Sequence, residues 1–359
     1  MGRSVRARLE SRIVVLLLGL LATVAAAEER ELIPGPELRD MGNGHTLAAI
    51  DLYREFLAIP NDANYPEQIP PLNAWVRDAF EQRGFETRLL PTAGSPSVFA
   101  EKRSPGASMT VLVYLQADGQ PVDPSAWAQP DPYTAVLKEK DESGNWRIID
   151  WSQVEKSLDP DWRIFARSAA DSKGPMAQFL VAVELLASVR PDFGYNLKVL
   201  IDTEEELGSP YLADAVRAHR DLLASDMLLI FDGPPHVSNR PTVSLGARGI
   251  ATVTLTAWGP RVAQHSGHYG NFVPNPAMDL AHILASMKSR DGVVTIEGFY
   301  DGVDIDERTR GVLASVPDDE DAILASMGLR RADAVAETLQ EAIQYPSLYI
   351  RGRSAAWTG

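Results

Sequence analysis

The sequence predicts an α/β protein: a sheet with helices on both faces, followed by a smaller α+β domain. Three observations carry that expectation. Residues 111–115 and 227–231 are short, continuous apolar runs, the pattern of strands buried on both faces, and 196–201, with Leu197, Val199, Leu200 and Ile201, reads as a further buried strand. Helical segments separate them, and strands alternating with helices build a layered α/β sheet. After Gly246 the pattern changes. Ile250, Val253, Leu255 and Trp258 interleave with Thr252, Thr254 and Thr256, which reads as a half-exposed antiparallel strand.

Taken in order, the spacing of Leu47, Ile50, Leu52, Phe56 and Leu57 predicts a helix over 46–58. A second helix, 71–84, carries Leu72, Trp75, Val76 and Phe80 and stops at Gly84. Residues 85–90 and 97–100 read as short strands. The Pro- and Trp-rich stretch 121–133 reads as a loop, with Trp127 and Tyr133 as packing or pocket wall. A long helix opens after Asp171-Ser172-Lys173-Gly174-Pro175 and places Phe179, Val183 and Leu186 on one stripe. Lys173 is expected to position the helix start or a neighbouring carboxylate. Residues 210–224 read as helical. Beyond 245 come a helix over 275–288, a strand at 293–296, an acidic, loop-rich stretch over 301–321 and a last strand at 347–351.

The chain has 359 residues, enough for two domains, and 45% of them are hydrophobic, enough for a real core. The net charge of −15 argues against a nucleic-acid partner and for a solvated acidic surface. Cysteine is absent, which excludes disulfides, thiolate ligands and a cysteine nucleophile. Any metal must then be held by His, Asp, Glu or amide oxygen. No Gly-x-Ser-x-Gly elbow occurs, so a serine hydrolase is excluded as well. The N-terminus reads as a secretory signal over 1–27. Arg3, Arg6, Arg8 and Arg12 precede an apolar run at 13–24, which is short for a membrane span. Ala25-Ala26-Ala27 follows as the cleavage site. The mature chain is expected to begin near Glu28 and to be secreted or periplasmic.

In open α/β sheets, ligands gather at the carboxyl ends of the strands. Gln116, Ala117 and Asp118 follow the first apolar run. Glu204, Glu205 and Glu206 follow the second, and Asp232 follows the third. Asp171, at the start of the long helix, makes a fourth group. An Asp before a helix is ordinarily a cap, and a Glu run is ordinarily a solvated loop. Their recurrence along one rim points instead to a shared site. Carboxylates packed together repel one another, and a divalent cation removes that cost.

The ordered set Asp118-Gly119-Gln120-Pro121, Asp171-Ser172-Lys173-Gly174-Pro175, Glu205-Glu206-Leu207-Gly208-Ser209, Asp232 and His265-Ser266-Gly267 resembles the dinuclear zinc exopeptidases of family M20. That family includes carnosine dipeptidases, glutamate carboxypeptidases and acyl-amino-acid deacylases. The resemblance runs from about residue 46 to the end of the chain. It implies a zinc-exopeptidase-like catalytic domain over 28–244 and a ferredoxin-like lid and dimerisation domain over 245–359. It implies two divalent metal ions, zinc with manganese or cobalt as alternatives. Asp171 would bridge both ions, Glu206 would bind one and Asp232 the other. Glu205 would be the general base, and Asp118 would orient the ligand two residues earlier. His265 would stabilise the oxyanion across a homodimer interface. The implied substrate is a dipeptide, a peptide C-terminus or an N-acyl amino acid.

Two departures bear on this reading. Gln116 stands where the family has a histidine ligand, and a neutral amide oxygen is a poorer zinc ligand than imidazole. The resemblance also stops within the lid, so the domain is expected to be incomplete and to lack the final His ligand. His45, His219 and His282 are expected to be structural or exposed, His268 lies outside the motif, and His236 is a weak candidate ligand. The alternative is therefore a catalytically impaired relative or fragment that binds or dimerises.

Overall fold

The computed structural model describes residues 33–233, 236, 242–244 and 246–354. The signal-like segment at 1–27 lies outside the described residues. The chain divides into two compact units, Met1–Pro234 and Pro235–Gly359; the sequence reading places the change at 245.

The first unit opens with two helices, α1 (Gly35–Leu57) and α2 (Ile69–Glu81). Helix α1 begins earlier than its apolar spacing suggests and is anchored through its C-terminal part: Phe56 and Leu57 are buried, Leu52 packs against the core and the Tyr53 hydroxyl bonds Ala169 O, while Leu47 is exposed. Helix α2 buries Leu72, Val76, Ala79 and Phe80 along one stripe. Its Trp75 ring stacks on Phe56 at 4.1 Å. Gly84 has φ of +77°, a left-handed conformation open to glycine, and it turns the chain into the sheet.

The sheet contains β1 (Glu86–Leu90), β2 (Ser97–Lys102), β3 (Thr110–Gln116), β7 (Asn196–Asp202) and β8 (Met227–Ile230), in the order β1-β2-β7-β3-β8. The pairs β1–β2 and β2–β7 are antiparallel, and β7–β3 and β3–β8 are parallel. Side chains alternate between two cores, as strand geometry dictates. Val98, Val111, Val113, Leu115, Val199 and Ile201 meet α2 and the long helix α3 (Lys173–Val189), whose buried stripe includes Met176, Phe179 and Leu180. Each such large side chain contributes roughly 1.5–3 kcal/mol on burial. On the other face Phe99 and Leu200 pack with Leu212, Leu222 and Leu223 from α4 (Leu212–Ala218) and α5 (Arg220–Leu223). Helices thus lie on both faces, as expected.

Strand β8 departs from its expected burial. It lies at the sheet edge, pairs with β3 alone, and all four of its residues are exposed. A second, antiparallel sheet of β4 (Val136–Lys140), β5 (Trp146–Ile149) and β6 (Arg163–Phe165), in the order β5-β4-β6, was not anticipated. Its hairpin turns where Asp141 Oδ1 accepts from the Ser143 and Asn145 amides and Gly144 takes φ of +81°.

The second unit contains α6 (Ser266–Tyr269), α7 (Pro276–Met287), α8 (Glu307–Leu313), α9 (Glu320–Ser326) and α10 (Leu339–Ala342). Helix α7 matches expectation, with Asn275 Oδ1 capping the Ala277 amide at 2.9 Å. The expected strands at 250–258, 293–296 and 347–351 do not form among the described residues, where an isolated bridge joins Lys288 and Val294. Alternation alone does not make a strand without a partner for its backbone groups. Ile250 and Trp258 are accordingly exposed. Among the described residues no helix is long and apolar enough to cross a membrane.

Candidate active site

The carboxyl end of β3 brings Gln116, Ala117, Asp118 and Gly119 to the rim of the sheet, all buried. A network that the sequence did not signal holds this corner. Asn61 is fully buried, and its Nδ2 donates to Ala117 O at 2.8 Å and to Ser168 Oγ at 3.0 Å. The Gly119 amide donates back to Asn61 O at 2.9 Å. A Cβ on Gly119 would lie 2.2 Å from Ser168 Oγ, so only glycine fits. Gly119→Ala is therefore expected to destabilise the first unit by about 1–3 kcal/mol, read as a lower thermal midpoint.

At the end of β7, Asp202 organises the loop that carries the glutamates. Its Oδ1 accepts from the Thr203 and Glu204 amides at 2.8 and 3.1 Å. Its Oδ2 accepts from the Tyr114 hydroxyl at 3.0 Å and from Ser209 Oγ at 2.6 Å. Residues Glu205–Leu207 then make a single 3-10 turn, closed by Gly208 at φ of +83°. Asp118 Oδ2 accepts from the Glu206 amide at 3.0 Å, and the Gln120 amide bonds the Glu206 carboxylate. Asp118 thus fixes the glutamate turn itself, a contact different from the one the resemblance implies.

At the start of α3 the N-cap is Ser172, with no side-chain capping bond, and Asp171 is exposed beside it. Asp171 is therefore not serving as a helix cap. Ser172 Oγ lies 2.6 Å from Asp171 Oδ1 and 2.7 Å from Gln116 Oε1. Lys173 turns away from the carboxylates. It is fully buried, and its ammonium donates to Phe56 O at 2.9 Å and to Ile59 O, over the rings of Phe56 and Tyr133. It positions the helix start, as expected, but through carbonyl groups rather than a carboxylate. Trp127 lies under the Arg167 guanidinium at 5.3 Å.

The rim is electrostatically crowded. Glu205 titrates above the usual carboxylate range, first because burial penalises its charge and then because Glu206, Asp232 and Asp171 repel it. Glu206 is raised by burial and by Asp171 and Asp232, against the opposing pull of Gln120 and Arg167. Burial pushes Asp118 up to about 7, although the Glu206 and Glu205 amides oppose the shift. The structure thus brings Asp171, Glu205, Glu206 and Asp232 into one electrostatic group, with Gln116 and Asp118 directly behind it.

The histidines are placed otherwise. His45 Nδ1 bonds Met41 O within α1, and His219 lies between α4 and α5. His236 pairs with Asp318 at 2.7 Å inside the second unit. His265 belongs to the second unit too, where its Nδ1 caps the Gly267 amide at 3.0 Å.

These residues fit a divalent cation by charge and donor chemistry. Four carboxylates share one rim, Glu205 and Glu206 are raised first by burial and then by neighbouring carboxylates, and Asp118 Oδ1 is buried without a hydrogen-bond partner. The donors in the group are oxygens, which suit manganese or magnesium better than zinc, whose sites favour nitrogen and sulfur. Among the described residues no three His, Asp or Glu side chains stand at coordination spacing, so the carboxylates must draw together to hold an ion.

No family model matches the chain. It is similar to the Cys-Gly metallodipeptidase dug1 of Schizosaccharomyces pombe, 27% identical over 271 residues that cover 74% of this chain and 52% of that protein. It is 25% identical over 329 residues to the Beta-Ala-His dipeptidase of Homo sapiens, covering 86% of this chain and 61% of that one. Among solved structures, an M20 family metallo-carboxypeptidase from Sulfolobus solfataricus matches with a TM-score of 0.64 at 26% identity, over 87% of this chain and 66% of that one. The chain spans about half the length of the first of these curated relatives.

Proposed function

We propose that this chain, which is related to the M20 family metallopeptidases, is a metal-dependent hydrolase that cleaves an amide bond of a dipeptide, a peptide C-terminus or an N-acyl amino acid. The observation that carries the reading is the single electrostatic group formed by Asp171, Glu205, Glu206 and Asp232. Asp171, Glu206 and Asp232 are the residues to hold the cation, with Gln116 adding a neutral oxygen. A cation held there would neutralise the rim and supply Lewis acidity for the scissile carbonyl.

The protein's own groups do the rest. Glu205 takes the proton of the attacking water and returns it to the leaving amine; its raised pKa suits both steps. Asp118 and Asp202 hold the turn that aims Glu205. The His-Ser-Gly motif supports a role for His265 in oxyanion stabilisation within a homodimer built through the second unit. The signal-like N-terminus supports secretion or a periplasmic location. The oxygen-rich donor set favours manganese, with zinc and cobalt as the other candidates.

The test uses the full chain with Cys-Gly and β-Ala-His as substrates. Turnover is expected to be lost on treatment with a chelator and restored by Mn²⁺. A second reading, an impaired relative that binds or dimerises, is favoured by Gln116 and by the lack of coordination spacing among the described carboxylates. Cation binding with no turnover of any dipeptide would select that second reading.

A further inference from the structure

Ser172 sits between two oxygens but carries one proton. Its Oγ lies 2.6 Å from Asp171 Oδ1 and 2.7 Å from the atom placed as Gln116 Oε1. Both Ser172 and Gln116 are buried, with 2% and 3% of their surface exposed, so water does not resolve the conflict. A hydroxyl donates once and otherwise accepts, and a carboxylate oxygen only accepts. If the proton went to Gln116, two lone pairs would meet across 2.6 Å at Asp171. If it goes to Asp171, the Gln116 amide must turn over and offer its nitrogen to Ser172. The two ends of an amide have the same shape, so this turn costs no packing. The remaining end of the Gln116 amide makes no hydrogen bond among the described residues.

We propose that Ser172 is a positioning residue that fixes two rim oxygens at once. It donates to Asp171 Oδ1 and accepts from the Gln116 amide nitrogen, leaving the Gln116 carbonyl oxygen free as a neutral donor beside Asp171. The chain Gln116 to Ser172 to Asp171 holds both side chains from behind, as the outer partners of metal ligands do. The hydrogen-bond direction stands on the geometry alone; its consequence for cation binding rests on the hydrolase reading.

The test has two readouts. In the full chain with ¹⁵N-labelled glutamine and no metal, the Gln116 side-chain amide signals are assigned by their disappearance in Gln116→Glu. Ser172→Ala is expected to shift them, and Ser172→Thr, which keeps the hydroxyl, to restore them. By calorimetric titration with MnCl₂, Ser172→Ala is expected to bind about tenfold more weakly, with Ser172→Thr within about threefold of the wild type. Unmoved amide signals and unchanged Mn²⁺ affinity in Ser172→Ala would overturn the proposal. If Mn²⁺ does not bind the wild type, the hydrolase reading fails while the amide signals still decide the relay. If Ser172→Ala does not fold, neutron diffraction on deuterated wild-type crystals decides. Deuterium on the Gln116 nitrogen facing Ser172 supports the relay, and the Ser172 deuteron on Gln116 sinks it.

Discussion

Glu205→Gln is expected to lower dipeptide turnover by roughly a thousandfold, the scale of a lost general base. The substitution keeps the size of the side chain, and the turn that carries it is held by backbone groups. Gly208 N donates to Glu205 O at 2.7 Å, and the Asp202 carboxylate binds the two preceding amides. The loss should therefore fall on kcat, with the fold intact. Cation binding should survive, because Asp171, Glu206 and Asp232 carry that role in the proposed site. The pH profile adds an independent check. Glu205 works as a base only when ionised, and burial plus the neighbouring Glu206, Asp232, Asp171 and Asp202 carboxylates raise its pKa. Wild-type kcat/KM should fall as pH drops through a point above the ordinary glutamate value of about 4.3, and that acid limb should vanish in the variant. Steady-state kinetics with Cys-Gly across pH, beside calorimetric Mn²⁺ titration, measure both. Turnover within about threefold of wild type would remove Glu205 from the mechanism.

Strand β3 was legible because an unbroken apolar run of that length, bounded by polar residues, fits little besides a buried strand, and β7 because Leu197, Val199, Leu200 and Ile201 make up most of its length. Residues 111–115 and 196–201 became β3 and β7 almost residue for residue. The same signal misled at 227–231. Side-chain burial depends on what covers the faces of a strand, which an apolar run does not reveal, and all four residues of the edge strand β8 are exposed. The hairpin of β4 and β5 went unseen because Lys138, Glu139 and Lys140 hide its alternation. The turn at Asp141–Gly144 was its readable mark. For the site, the acidic residues at strand ends were visible because the rim of a parallel sheet collects ligands. Their supports were not. Asn61 and Ser168 meet across 107 positions of chain, and Asp202 gathers Tyr114 and Ser209 from separate elements. Such hydrogen-bond networks have no sequence period. Asp202 alone left a hint, as the acidic residue ending an apolar strand.

Lys173→Met is expected to change how stability depends on pH, because Lys173 is a cation enclosed by the first unit. Its ammonium is fully buried, with two backbone carbonyls as acceptors and two aromatic rings nearby. Burial pushes its pKa down to about 7. In the unfolded chain the value returns to about 10.4. Below pH 7 both states hold the proton, and the folded state bears the full cost of the buried charge. Between about 7 and 10.4 the unfolded chain holds a proton that the folded chain has released. Stability from this group therefore rises with pH across that window, by up to about 1.4 kcal/mol per unit. Methionine carries no proton and lacks this slope. It also leaves Phe56 O and Ile59 O without their donor, at about 1–3 kcal/mol for each buried group. At low pH the relief of the buried charge offsets the lost hydrogen bonds, and as pH rises that relief fades and the donor loss remains. The deficit of the variant relative to wild type should be smallest near about pH 6 and grow to several kcal/mol by about pH 9.5. Subtracting the two unfolding profiles cancels the carboxylates that both proteins share. Denaturant unfolding of both proteins at several pH values supplies those profiles, and parallel curves would show that Lys173 keeps its proton in the fold throughout the window.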